Sequence, residues 1–99
     1  MLRIKEINMN DKTRAVVTVI GQDEVGILAS VSQGCAEANC NVIEVTQSVL
    51  EEFFCMIMII DITEANRSID QIQALIDEKV PNMKVHVMHE NIFNSMHRI

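Results

Sequence analysis

An apolar, β-branched run, Val16-Val17-Thr18-Val19-Ile20, stops at Gly21, and a helix-like pattern begins soon after, at Gly26. So short a junction makes a strand feed directly into the N-terminus of a helix. The first amide groups of a helix have no intrahelical acceptors, and the helix dipole adds partial positive charge there. Asp23, inside the turn, is placed to cap that helix or to hold an ammonium group.

The rest of the chain repeats the theme. Residues 14–20 have two apolar faces, Ala15, Val17 and Val19 on one and Val16 and Ile20 on the other, as a central strand requires. Residues 26–39 read as a helix through Ile27 or Leu28, Val31, Cys35 and Ala38. Gly34 should let this helix approach the sheet closely. Asn39, Cys40 and Asn41 form its exit turn. In residues 42–50, Ile43, Val45 and Val49 alternate with Glu44, Thr46 and Ser48, a half-polar edge strand. Glu51 and Glu52 make a tight turn into the almost wholly apolar residues 53–62, a buried strand. Ser68 and Gln71 have capping-box spacing ahead of a helix carried by Ile69, Ile72, Leu75 or Ile76, and Val80, and Pro81 and Asn82 end it. Residues 84–88 give a fourth, half-polar strand. Ile92, Phe93, Met96 and Ile99 give a short helical tail with Asn91 as its N-cap.

The order strand, helix, strand, strand, helix, strand is βαββαβ. Its two most apolar strands, the first and third, are the central pair of a 4-1-3-2 antiparallel sheet. The expected fold is therefore a ferredoxin-like α+β sandwich with a short C-terminal helical tail. Residues 1–13 read as an N-terminal extension, either loosely attached or an added edge strand, and residues 14–99 as one domain. Two helices cover only one face of such a sheet. The apolar side chains on the other face need a cover, from the tail or from a second subunit, and a homodimer is the economical solution.

Charge narrows the partners. The net charge is −6, and four of the eight Lys and Arg residues lie in the first fourteen positions, so the body is more acidic still. An acidic body repels phosphate backbones and anionic lipid, and without Trp or Tyr there is little for bases to stack on. Direct nucleic-acid binding and membrane association are not expected, nor is a spanning segment of roughly 20 apolar residues present. A small ligand or a regulated partner protein is. Nothing resembles a signal peptide, so the expected location is cytoplasmic. Three cysteines without a CxxC pair suit reduced thiols, Cys35 and Cys55 as small core residues.

Gly21-x-Asp23-x-x-Gly26-Ile27-Leu28, followed by Asn41-Val42-Ile43 after the helix, resembles an ACT domain over residues 14–89. The ending over residues 89–99 is similar to that of small stand-alone ACT proteins of undefined function. A more distant likeness is to the repressor-like regulators of the glycine cleavage system. The resemblance implies a paired, non-enzymatic regulatory module that binds an amino acid. The pocket would lie where the strand-one–helix-one turn of one subunit meets the start of strand two, commonly of the partner. Carried over, the ligand-binding positions are Asp23, the backbone amides of Gly26 and Ile27, and Asn41. Asp23 would pair with the ammonium, the helix terminus would hold the carboxylate, and Asn41 would offer a donor and an acceptor. Val25 stands where the family's turn usually carries proline. A ligand-free interaction module that uses the tail is the alternative function.

Plainer roles compete for the same residues. Asp23 suits an N-cap, Asn41 a turn, and Gly21 and Gly26 backbone geometry, since no full phosphate-loop pattern is present. His86 and His89 point to opposite faces of a strand, and His97 would have to fold back, so no metal or cofactor is expected. Glu44 and Asp61 could meet across neighbouring strands, but no nucleophile–base spacing suggests catalysis.

Overall fold

The computed structural model describes residues 13–96. The expected extension over residues 1–13 falls almost wholly outside them, as does His97. The elements are β1 (Arg14–Gln22), α1 (Ile27–Glu37), β2 (Asn41–Leu50), β3 (Phe53–Asp61), α2 (Ile69–Lys79), β4 (Lys84–His89) and α3 (Glu90–Met96). The sheet order is β2-β3-β1-β4, every neighbouring pair antiparallel. This is the βαββαβ ferredoxin-like arrangement, with a third helix at the C-terminus.

Alternation on the strands makes the core. Ala15, Val17 and Val19 of β1 lie on the same face as Phe54, Met56, Met58 and Ile60 of β3 and Val85 and Val87 of β4. Helices α1 and α2 close this face with Ile27, Val31, Cys35, Ile72 and Ile76. Val16 points the other way and yet is 1% exposed. The tail helix α3 lies next to β1 and β4, tied at its first residue by a 3.3 Å ion pair from Arg14 to Glu90. Further along the same face Ile20 and Phe53 remain 47% and 64% exposed.

Several local expectations change. β1 does not end at Gly21 but runs on to Gln22. A Cβ on Gly21 would come within 2.7 Å of the Met83 sulfur, so any larger residue there obliges the flexible Met83 side chain to move aside. Gly34 faces α2, not the sheet: a Cβ on it would lie 3.2 Å from Ile76 Cγ1. In β2 a bulge between Val42 and Glu44 breaks the simple alternation, so that Val42, not Ile43, joins Val45 against the core. The tail helix starts at Glu90, which places Asn91 inside its first turn. Asn41 is the first residue of β2 and not part of the exit turn. Asn39 makes that turn in the left-handed conformation, φ 60°, and the Cys40 N–H reaches the Cys35 carbonyl at 2.9 Å. This is a Schellman closure with asparagine in the usual glycine place.

The cysteines also divide differently. Cys55 is exposed on the open sheet face, because β3 alternates and Phe54 and Met56 take the core side. Cys35 and Cys40 are buried. Burial, with the neighbouring Cys40 as a smaller cause, pushes the Cys35 thiol up to about 11 from an ordinary 9.0. Burial and then the Asp61 carboxylate raise Cys40. Above pH 9 the unfolded chain therefore gives up thiol protons that the folded chain keeps, so stability falls as pH rises. The Cys35 contribution, present in full below pH 9, should be lost between pH 9 and about 11 and amount to about 2–3 kcal/mol. Urea unfolding at pH 8 and pH 11 checks this. Cys35→Ala should show a shallower decline than the parent chain, and equal declines would refute the assignment.

Candidate functional site

The turn between β1 and α1 stands at one end of the sheet, beside the β2–β3 hairpin. The Asp23 N–H donates to the Glu52 carbonyl at 2.8 Å, which pins the turn to the hairpin. The Asp23 side chain does not cap α1. The cap position falls on Gly26, with φ 88° and ψ 9° and no side-chain hydrogen bond. Within α1 the first amide to find its acceptor is Ser30, which bonds the Gly26 carbonyl at 3.0 Å. The Ile27, Leu28 and Ala29 amides precede it and point out of the helix end. Helix α2 is the contrast. There Ser68 and Gln71 form a complete capping box, with bonds of 3.2 and 2.9 Å.

Gly26 is fixed by its backbone. Open space surrounds the place of a Cβ, yet φ +88° is strained for an L side chain. Gly26→Ala should cost about 1–2 kcal/mol, and Gly26→Asn less, because asparagine tolerates this region better. Equal losses in urea unfolding would show that something other than φ governs the position.

A cleft of about 380 Å³ opens at this helix end. Asp23, Glu24 and Gly26 form its rim, Ile27, Leu28 and Ala29 one wall, Gln47, Ser48 and Val49 the other, and Phe54 a side. Of the residues expected from the sequence, the cleft brings together Asp23, Gly26 and Ile27; Gln47, Ser48, Val49 and Phe54 were not foreseen. Their approach depends on the topology. β1 and β2 both pair antiparallel to β3, so they run in the same direction and their C-terminal ends share one edge of the molecule.

The same topology separates Asn41 from the cleft of its own chain. Asn41 and Arg14 both stand opposite Asp61, at the start of β1. Asp23 follows the end of β1, and that strand's length is roughly 25 Å. The other candidates also separate. Glu44 stands across from Ile59, while Asp61 faces Asn41 and accepts from the Thr63 N–H at 2.9 Å. His86 pairs with Thr18 and His89 with Ala15, on alternate faces. Among the described residues no three His, Cys, Asp or Glu side chains are grouped to hold a metal.

The model of one family, the ACT domain, matches residues 13–90. The chain belongs to the ACT-domain family. A UPF0237 protein of Listeria monocytogenes serovar 1/2a is 41% identical over 88 residues, which is 87% of this chain and 99% of that protein. The structure of an ACT domain protein from Streptococcus pneumoniae superposes with a TM-score of 0.67 at 27% identity, over 88% of this chain and 100% of the other. A candidate glycine cleavage system transcriptional repressor shares the fold at TM-score 0.58 and 19% identity, over 80% of this chain and 46% of its own. Most of α3 lies past the stretch that the ACT-domain model matches. No helix among the described residues is long and apolar enough to cross a membrane.

Proposed function

We propose that this ACT domain is a non-enzymatic regulatory module, a cytoplasmic homodimer that senses a free amino acid. The observation that carries this reading is the uncapped N-terminus of α1 opening into the cleft beside Asp23. A ligand carboxylate suits the free amides, and its ammonium suits the Asp23 carboxylate. A volume of about 380 Å³ has room for a single amino acid.

A second subunit would supply Asn41. The two sheet edges differ in what they leave open to such a partner. On the short β4 edge the Val87 N–H is taken by the Gln73 side chain at 2.9 Å, so α2 closes it. The ten-residue β2 edge carries no such cover among the described residues, and Ile43, Val49 and Leu50 on it are exposed. Edges of this kind pair. Two-fold antiparallel pairing of β2 with its copy would carry Asn41 of the partner subunit to the Val49–Leu50 end, where the cleft lies.

Titration calorimetry with each free amino acid, alongside sedimentation analysis, tests the reading. A dimer that binds one of them, and loses binding in Asp23→Ala, is expected. A monomer, no binder, or undiminished binding by Asp23→Ala and Asn41→Ala would overturn it. The alternative, a ligand-free interaction module, draws on α3, which has no buried residue and leaves Ile92 and Met96 exposed. Truncation after Glu90 separates the two: a sensor keeps its ligand, whereas an interaction module loses its regulated partner protein.

A further inference from the structure

Resting on the sensor reading, we infer that the cleft selects a neutral amino acid with an aliphatic side chain, and that Val49 and Leu28 set this preference. The ionisable groups lining the cleft are Asp23 and Glu24, both carboxylates, and no lining residue is basic. With the ligand's ammonium on Asp23 and its carboxylate on the α1 amides, its side chain is directed at the remaining walls. Beside the polar Gln47 and Ser48 of β2, those are Leu28 from the first turn of α1, Val49 from the end of β2, and Phe54, which is 5% exposed.

Leu28 and Val49 are 37% and 52% exposed. A branched hydrocarbon placed between them removes their surface from water together with its own. An acidic side chain would sit beside Asp23 and Glu24 with no lining cation to balance it, and like charges at close range oppose binding. A hydroxyl side chain would bring a polar group against Val49 and Phe54, where Ser48 and Gln47 are the polar neighbours on β2. A lysine-like side chain would have Glu24 as a partner, but only at the rim, leaving the Val49–Leu28 wall uncovered.

Competition titrations on the full chain decide it, with valine, leucine and isoleucine set against aspartate, lysine, serine and threonine. The aliphatic set should bind at least about tenfold tighter than threonine, the discrimination typical of an apolar pocket facing a hydroxyl isostere. Val49→Thr keeps the β-branched shape that the strand needs, and should bring valine and threonine to within about threefold of each other. Leu28→Ala should weaken leucine several-fold, and circular dichroism confirms that each variant is folded. Tighter binding of a charged or hydroxyl amino acid overturns the selectivity while the sensor reading stands. An unchanged valine-to-threonine ratio in Val49→Thr overturns the role of Val49. Failure of every amino acid to bind the parent chain removes the sensor reading itself, and this inference with it.

Discussion

Mixing the Asp23→Ala and Asn41→Ala variants is expected to restore ligand binding that neither shows alone. Within one chain the two residues lie at opposite ends of the sheet. A shared site therefore takes Asp23 from one subunit and Asn41 from the other. In a mixed dimer one site carries both substitutions and the other carries neither. Random exchange of equal amounts makes half the dimers mixed, so about a quarter of all sites should recover. Each variant alone should lose a charge-assisted or polar hydrogen bond. For Asp23→Ala that is about 1.5–3 kcal/mol, or roughly 10- to 150-fold in affinity. Its stability should stay within about 0.5 kcal/mol of the parent, because the side chain is exposed and makes no cap bond. Calorimetry of the two variants and of the mixture measures the site count directly. A mixture as inert as its components would show that Asp23 and Asn41 do not share a site.

The largest stability effect is expected where α1 crosses α2. Ile76 is fully buried and meets Gly34, whose missing side chain allows the helices to approach. Ile76→Ala should cost about 2–5 kcal/mol through lost burial and the cavity left behind. In a domain whose total stability is about 5–15 kcal/mol that is a large share. Gly34→Val should cost about 1–3 kcal/mol by overpacking the same contact. The double variant should lose less than the two single losses added together, by at least about 0.5 kcal/mol, because the new valine fills the space that Ile76 vacates. Urea unfolding of the four chains gives the coupling. Strict additivity would mean that Gly34 does not gate the helix–helix distance.

The legible parts of this protein are those that depend on neighbours in sequence. The capping box at Ser68 and Gln71 needs only local chemistry and is present in full, and the exit turn forms at Asn39, although Asn41 belongs to β2 and not to that turn. The two central strands were visible because β1 and β3 carry apolar residues at successive positions, which only a strand covered on both sides can bury. Gly34 shows the limit. A glycine in a helix signals close approach, but whether to a sheet or to another helix depends on the packing. The β2 bulge shows another. One extra residue resets which side chains face the core, and its position follows from pairing with β3. Cys55 was misplaced because an all-apolar strand gives no sign of which of its faces will be covered.

For the candidate site the division is sharper. The turn depends on sequence neighbours alone: Asp23, the glycine at Gly26 and the amides that follow it are within a few residues of one another. Their grouping is a property of chain connectivity, which tertiary contacts cannot undo. The cap, the cleft walls and the place of Asn41 depend instead on how the elements pack. Gly26 took the cap once its φ reached +88°, which freed the Asp23 carboxylate. Gln47, Ser48, Val49 and Phe54 became walls because parallel-running β1 and β2 end at the same edge. The same arrangement put Asn41 at the far end of its own chain. Both halves of the proposed site are present in the sequence, but the direction of the strands assigns them to different ends of the sheet.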